Sequence, residues 1–199
     1  MKSIDVKGTA RTVLGKKAAK EIRKAGSVPC NLYGEAKGEN GLPVALSFTC
    51  TQAELRNLVY TPHIYSVNLN IDGKECKAIM KELQFHPVTD QLLHVDFYEI
   101  TETKPIVMEV PIKLNGLAEG VKAGGKLAAS VRKLKVRAPY TQIPEVLDID
   151  VTKLGLGKVI KVAELSYEGL EMVTSPSVVV CQVKMTRAAA AAAAQAAKK

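Results

Sequence analysis

One short segment of the chain would place three chemically useful side chains on a single strand face. Residues 94–98 read His-Val-Asp-Phe-Tyr, and successive side chains of a strand point to opposite faces. His94, Asp96 and Tyr98 therefore share one face, while Val95 and Phe97 share the other. The apolar face is expected to turn to a core, which leaves an imidazole, a carboxylate and a phenol pointing outward.

An imidazole beside a carboxylate could serve acid–base catalysis, metal binding or hydrogen bonding to a ligand. His86, His94 and Asp96 are the candidate metal trio, but no further histidine is well placed to complete a hydrolytic site. No G-x-S-x-G motif or reactive-cysteine context supplies a nucleophile. We therefore predict no enzyme activity, metal, cofactor or small-molecule substrate. A structural role for His94 and Asp96, bonded to neighbouring loops, stays open beside ligand contact.

A glycine-rich segment, residues 120–127, nearly matches the phosphate-binding loop G-x-x-x-x-G-K-[ST]. Leu127 stands where the motif needs a hydroxyl to reach Mg²⁺. A strand-like run follows, where a helix should begin and receive the phosphate. The segment is predicted to be a loop between strands and not a nucleotide site.

A basic helix is predicted from about Lys16 to Gly26. At 100° per residue Ala18, Ile22 and Ala25 lie within about 60° of one another. Four cations point the opposite way, and they are Lys16, Lys20, Arg23 and Lys24. Such charged faces are often merely solvated. Beside a polar strand face, however, this one indicates a surface for a folded polyanion.

RNA is the polyanion that the mixture of side chains favours. Lysine and arginine neutralise phosphates, while uncharged and acidic groups meet base edges and ribose hydroxyls. Aspartate is repelled by phosphate, so it is useful mainly where it accepts a hydrogen bond from a base or hydroxyl. The predicted contact residues are Arg11, Lys16, Lys20, Arg23, Lys24, Tyr33, Gln84, His94 and Asp96.

The charge of the chain is unevenly distributed. The net charge is +8 over 199 residues, which favours a polyanionic partner. Residues 1–34 carry eight Lys or Arg against two acids, residues 35–100 five against nine, and residues 101–199 fifteen against nine. The N-terminus is therefore the most densely basic part of the chain.

The four cysteines and the hydropathy indicate a cytoplasmic protein. The cysteines have no C-x-x-C spacing and lie in apolar runs, so we predict reduced core thiols. No run approaches 18 apolar residues, and the N-terminus has no apolar signal segment. Neither a membrane location nor secretion is expected.

The fold class predicted from the pattern is mainly β. Strands are predicted over Ser3–Arg11, Val28–Tyr33, Val44–Thr49, Val67–Ile71, Lys74–Phe85 and Leu92–Ile100. Thr51 and Glu54 have the spacing of a helix capping box, and Asp72-Gly73 is a strong hairpin turn. Strands with two short helices in about a hundred residues predict a small closed barrel or curled sheet.

We divide the chain into a barrel domain at 1–100, a second β-rich domain at 101–186 and an alanine-rich tail at 187–199. Thr-Glu-Thr-Lys-Pro at 101–105 is typical of a linker. In the second domain strands are predicted over Ile106–Leu114, Lys126–Ala138, Val146–Val151 and Val178–Lys184, with a short helix or turn near Val162–Leu165.

Three landmarks in order resemble one known family, the long form of bacterial ribosomal protein L25, also called the general stress protein Ctc. The first runs from Lys16 through Arg23-Lys24-Ala25-Gly26 to Leu32-Tyr33-Gly34. The second joins Gln84-Phe85-His86-Pro87 to Leu93-His94-Val95-Asp96-Phe97. The third, Gly120-Val121-Lys122-Ala123-Gly124-Gly125, is typical of the second domain of long members. The resemblance covers roughly residues 3–184.

The resemblance implies a β-barrel that binds 5S ribosomal RNA in the large ribosomal subunit, with neighbouring RNA and ribosomal proteins as further partners. By matching motif, the RNA-contact role falls to Arg11, Arg23, Lys24, Tyr33, Gln84, His94 and Asp96. The alternative is a stress-related protein whose β domains bind another protein, with RNA contact incidental.

Overall fold

The computed structural model describes residues 2–34, 45–101 and 104–187. The chain forms two compact units. One consists of Met1–Ile106 with Pro139–Thr141, and the other of Val107–Ala138 with Gln142–Lys199. Residues 35–44, which include the predicted strand start Val44, residues 102–103 of the predicted linker, and the tail from residue 188 lie outside the described residues.

The first unit is a closed barrel of six strands. The strands are β1 Lys2–Ala10, β2 Ser27–Tyr33, β3 Leu46–Thr51, β4 Tyr65–Ile71, β5 Lys74–Phe85 and β6 Leu92–Glu99, and the helices are α1 Lys16–Lys24 and α2 Gln52–Val59. Around the barrel the order is β1-β3-β2-β6-β5-β4, and β4 returns to β1. The predicted mainly β fold is confirmed, and of the two predicted forms the closed barrel is the one present.

Two parallel ladders connect parts of the barrel that are distant in sequence. β1 pairs with β4 from Lys2↔Tyr65 to Gly8↔Ile71. β2 pairs with β6 from Cys30↔Val95 to Tyr33↔Tyr98. The remaining neighbours are antiparallel. The second ladder matters for function, because it sets the outward residues of β2 beside those of β6.

The barrel core is aliphatic around one aromatic pair. Phe48 and Phe97 are fully buried with ring centroids 5.8 Å apart. Leu55 and Leu58 of α2 belong to the same cluster. Burying one such side chain contributes about 1.5–3 kcal/mol, so the short α2 is held mainly by this packing.

Two local structures that the sequence predicts are present in the barrel, a helix capping box and a hairpin turn. The Thr51 hydroxyl accepts from the Glu54 backbone N–H, and the Glu54 carboxylate accepts from the Thr51 N–H, which completes the capping box of α2. At the β4–β5 hairpin Asp72 and Gly73 both have positive φ, 48° and 88°. This is the backbone that an Asp-Gly hairpin turn requires.

The strands after residue 104 form two further sheets. They are β7 Pro105–Asn115, β8 Lys126–Ala129, β9 Lys133–Pro139, β10 Leu147–Asp150, β11 Val159–Lys161, β12 Glu171–Met172 and β13 Val179–Lys184, with α3 Glu119–Lys122 and a 3₁₀ turn at Val162–Glu164. One sheet has the order β10-β7-β9-β12 and the other β11-β13-β8.

The prediction of one strand over Lys126–Ala138 was wrong. The chain leaves the ladder at Ser130, whose N–H donates to the Val180 carbonyl, and re-enters a strand at Lys133. The two halves then join different sheets. The short strands β11 and β12 were not predicted, because three and two residues are too few to show a period.

The four cysteines are unpaired. Cys30, Cys50 and Cys181 are buried and Cys76 is half-buried, so the thiols lie in or against the cores as predicted. Hydrogen bonding with Cys50 and burial raise the pKa of the Cys30 thiol far above its ordinary value. Cys30 is therefore an unreactive, protonated thiol. No helix among the described residues has the length and apolar character needed to cross a bilayer.

Candidate nucleic-acid interface

The outward face of β6 carries the polar residues that alternation predicted. Val95 and Phe97 are fully buried in the barrel. The side chains of His94 and Asp96 are 19% and 22% exposed, and His94 Nδ1 lies 3.4 Å from Asp96 Oδ1. This distance allows an ion pair when the imidazole is protonated.

The strands on both sides of β6 extend this polar face. On β5 the exposed Gln84 is the cross-strand partner of His94. On β2 Tyr33 is the partner of Tyr98, and their rings meet edge to face with centroids 5.8 Å apart. Four predicted contact residues, Tyr33, Gln84, His94 and Asp96, thus occupy three adjacent strands. They form a continuous surface, which we call the β2–β6 face.

The phenol of Tyr33 is a neutral hydrogen-bond donor. Partial burial raises its pKa above the ordinary value, and the nearby carboxylates of Asp96 and Glu82 raise it further. The hydroxyl therefore keeps its proton through the physiological range. A neutral phenol can donate to a phosphate oxygen or a base acceptor without repulsion.

Arg11 directly follows β1, which is two strands from β2 because β3 lies between them. Its backbone N–H donates to the Ser47 carbonyl of β3 at 3.0 Å. Its Nε and one terminal nitrogen are shielded from solvent and have no hydrogen-bond partner among the described residues. Donors that are shielded from solvent and lack acceptors destabilise the fold. This guanidinium is therefore suited to donate hydrogen bonds to an anionic oxygen of a ligand.

The basic helix α1 lies beside the β2–β6 face, as predicted. Lys16, Lys20, Arg23 and Lys24 are all exposed. The helix packs against β2, and the Arg23 Nε donates to the carbonyl of Leu93 at 3.0 Å. Arg23 therefore joins the helix to the residue that precedes His94.

The apolar side of α1 differs in part from the prediction. Ala18 and Ile22 are half-buried, as is Ala19, but no residue of the helix is fully buried. Ala25 is exposed, because the helix ends at Lys24 and Ala25 is already its C-cap. Gly26 follows with φ 77°, the left-handed conformation that commonly ends a helix. The helix therefore packs against β2 through a narrow row of half-buried side chains, Ala18, Ala19 and Ile22.

His86 supports a turn. Its Nδ1 accepts from the backbone N–H groups of Val88 and Thr89 at 3.3 and 3.2 Å. The backbone N–H of His86 donates to the Gln91 carbonyl, which closes the connection between β5 and β6. Across residues 2–34, 45–101 and 104–187 no three metal-ligating side chains come together in a way that could hold an ion.

The glycine-rich segment packs closely instead of cradling a phosphate. A Cβ on Gly120 would lie 2.6 Å from the Gly155 carbonyl carbon, and one on Gly125 would lie 2.5 Å from a Val183 methyl. The helix that contains Gly120, α3, spans only four residues. The two glycines allow close packing within the second unit. This agrees with the prediction that the segment connects two strands and is not a nucleotide site.

Three polar residues on or beside the β2–β6 face were not predicted from the sequence: Asn31, Ser47 and Glu82. Asn31 and Glu82 flank Asp96 as its cross-strand partners on β2 and β5. Ser47 is the partner of Asn31 on β3. Alternation alone marks each as outward, but only the pairing of strands shows that they surround Asp96.

Comparison with known proteins agrees with the three sequence landmarks described above. The model of the ribosomal L25p family matches residues 6–97, and that of the ribosomal protein TL5 C-terminal domain matches residues 105–187. A protein of Phocaeicola vulgatus named large ribosomal subunit protein bL25 is 66% identical over the full length of both chains. The chain belongs to the ribosomal L25p family. Proteins of the same name from Bacteroides thetaiotaomicron and Porphyromonas gingivalis are 60% and 54% identical, over 100% and 97% of this chain and 100% and 98% of their own.

The family assignment confirms the resemblance drawn from the three landmarks. Both halves are matched, so the chain is a long-form member of the L25p family that carries the second domain. The β2–β6 face, Arg11 and α1 all lie in the first half, within or beside the stretch that the L25p model matches.

Proposed function

We propose that this chain binds 5S ribosomal RNA as a structural constituent of the large ribosomal subunit, with the β2–β6 face and α1 as the contact surface. The observation that carries the proposal is the combination on one surface of exposed cations with His94, Asp96 and Gln84. A solvated basic helix alone would not need the polar strand face beside it.

The ribosomal role follows from the family. Its relatives are named as proteins of the large ribosomal subunit, and a member of a structural ribosomal family is not an enzyme. The protein is accordingly a ribosome-bound protein of the cytoplasm. Binding to 5S RNA in particular is the finer step that we propose here.

The chemistry of the face favours folded RNA over a simple anion. The cations of α1 and Arg11 supply the phosphate contacts that give affinity. Tyr33 and Gln84 offer neutral donors or acceptors, and Asp96 offers only acceptors. A carboxylate at the centre of an anion-binding surface requires a partner with donors, such as base amines or ribose hydroxyls.

We further propose that residues 1–100 are the RNA-binding domain, that 101–186 form a second β-rich domain, and that the nine predicted residues make the contacts. All nine lie before residue 100. The last strand of the barrel also ends there, since β6 stops at Glu99.

The test is binding of the full chain to labelled 5S RNA at physiological salt. We expect saturable binding that survives an excess of an unrelated structured RNA of equal length. Equal competition by the unrelated RNA would contradict 5S recognition. In parallel, the chain should co-sediment with the large subunit and be released by ribonuclease. Retention on a protein partner after ribonuclease treatment would favour the alternative of a protein-binding function.

A further inference from the structure

Asn31 of β2 adjoins Asp96 on the β2–β6 face. It lies between Asp96 on β6 and Ser47 on β3, its cross-strand partners on either side. Its neighbours Cys30 and Leu32 are buried, so alternation directs the Asn31 side chain outward. Asparagine is depleted in strands, and a β-branched residue would suit this position better if only folding mattered.

A hydrogen bond from Ser47 holds the amide of Asn31 in one orientation. The Ser47 hydroxyl donates to Asn31 Oδ1 at 3.0 Å. The carbonyl end of the amide is thereby engaged, and the Nδ2 group keeps its two hydrogens for another acceptor. No partner for Nδ2 occurs among the described residues. Ser47 thus directs a pair of donors away from β3.

The neighbouring strand supplies the complementary group. Asp96 faces outward next to Asn31, and adjacent strands lie about 4.8 Å apart. An ionised carboxylate is acceptor-only. The surface therefore presents donors from Asn31 beside acceptors from Asp96, at a separation that a single polar group of a ligand can bridge.

We propose that Asn31 and Asp96 form a donor–acceptor pair that recognises one RNA group carrying an acceptor next to a donor, with Ser47 as the positioning residue. Base edges and ribose 2′-hydroxyls share this chemistry. The inference rests on the proposed binding of 5S RNA and adds a specificity-determining residue to it. Because the Asn31 amide is neutral, its contact adds affinity without releasing counterions.

The first experiment compares Asn31→Ala with a matched control, Asn68→Ala, for affinity to 5S RNA. Asn68 is an outward amide on β4, three strands away around the barrel, bonded to Asp5. We expect Asn31→Ala to bind about tenfold more weakly, the loss of one good hydrogen bond, with an unchanged salt slope. Asn68→Ala should bind like the wild type. Equal affinity of Asn31→Ala and wild type overturns the inference.

A second substitution covers the case in which Asn31→Ala fails to fold. Asn31→Asp keeps the shape and the acceptor for Ser47 but removes the donors and adds a charge beside Asp96. We expect it to lose at least as much affinity as Asn31→Ala. A folded Asn31→Asp protein with wild-type affinity overturns the proposal.

The role of Ser47 is tested by rescue. Ser47→Ala should weaken binding several-fold, Ser47→Thr should restore it because the hydroxyl is retained, and Ser47→Ala should add nothing in the Asn31→Ala background. A purely structural serine would instead give additive losses. Additive losses with no rescue by threonine would remove the positioning role.

Modified RNA shows whether Asn31 contacts a ribose hydroxyl or a base edge. Footprinting of the wild-type complex gives the protected nucleotides, which are then replaced by their 2′-deoxy forms. If the Asn31→Ala penalty disappears on the deoxy RNA, the group is a ribose hydroxyl; if it persists, the group is a base edge. Failure of the wild type itself to bind 5S RNA contradicts the proposed function. Wild-type binding with an unaffected Asn31→Ala contradicts this inference alone.

Discussion

At the scale of single residues, Asp96 is the position at which a structural role and a role in RNA binding predict the most different results. It lies outside the barrel core, 22% exposed, with Asn31 and Glu82 as its neighbours across the strands. An acid so placed serves either as a solvated surface charge or as an acceptor for RNA. The two roles predict opposite changes in affinity when the charge is removed.

We expect Asp96→Asn to keep the fold and to weaken 5S RNA binding. The substitution removes a charge-assisted hydrogen bond, which costs about 1.5–3 kcal/mol of binding free energy. Binding isotherms at physiological salt measure the change, and thermal unfolding checks that the melting temperature shifts little. A variant that binds more tightly than the wild type would exclude Asp96 from the contact.

His94→Ala tests whether the imidazole and the carboxylate act together. Their nitrogen and oxygen are 3.4 Å apart, close enough for their energies to couple. We expect the double variant with Asp96→Asn to lose less affinity than the sum of the two single losses. Strict additivity in a double-mutant cycle would show that the two residues contact the RNA independently.

At the scale of elements, α1 is a lightly docked helix with a strongly charged outer side. Half-buried Ala18, Ala19 and Ile22 and the bond from Arg23 to Leu93 hold it against the barrel. Its exposed lysines have no comparable structural task. Their contribution is therefore expected in RNA affinity and not in stability.

We expect each of Lys16→Ala, Lys20→Ala and Lys24→Ala to weaken binding and flatten its salt dependence. Loss of one phosphate contact should reduce the log–log slope by about 0.7–0.9. Lys74→Ala, an exposed lysine at the β4–β5 hairpin, is the matched control and should leave the slope unchanged. Unaltered slopes in all three helix variants would mean that this face of α1 is only solvated.

The glycine-rich segment of the second unit makes a prediction about stability. Gly120→Ala would bring a methyl group to 2.6–2.7 Å from the backbone of Gly155 and Leu156. Overpacking of this kind costs about 1–3 kcal/mol of unfolding free energy. Gly155→Ala is the control, since its nearest neighbour would be Lys158 at an ordinary 3.8 Å.

Urea or thermal unfolding of the full chain measures both glycine variants. We expect Gly120→Ala to be destabilised and Gly155→Ala to behave like the wild type. The affinity for 5S RNA should be unchanged in both, because every proposed contact residue lies in the barrel. Equal stability of the two variants would contradict the close packing at Gly120.

At the scale of the whole molecule, the proposed interface is confined to one unit. All six barrel strands and α1 end before residue 100. A fragment of residues 1–100 should therefore fold and bind 5S RNA with most of the affinity of the full chain. Circular dichroism checks its folding and filter binding its affinity. A fragment that folds but binds only when residues 101–199 are restored would place essential contacts in the second half.

Much of the proposed interface could be predicted from local patterns in the sequence. The alternation of residues 94–98 predicted the outward His94 and Asp96, and the basic face of α1 followed from its helical period. The capping box and the Asp-Gly hairpin were equally readable. Each of these features depends on residues only a few positions apart in the chain. At that range the residue types set the steric and hydrogen-bonding preferences.

The sequence by itself therefore determined which side chains of β6 face outward, where the barrel elements lie to within two residues, and that the chain resembles a ribosomal family. Only the tertiary structure decided which strands are neighbours, and so brought Asn31 of β2 and Ser47 of β3 beside Asp96 of β6. It also divided Lys126–Ala138 between two sheets and shielded the Arg11 guanidinium. The physical reason is that strand pairing is made by backbone C=O groups, which every residue has, and backbone N–H groups, which only proline lacks. Order and register thus depend on how the entire core packs and not on any local run of residues.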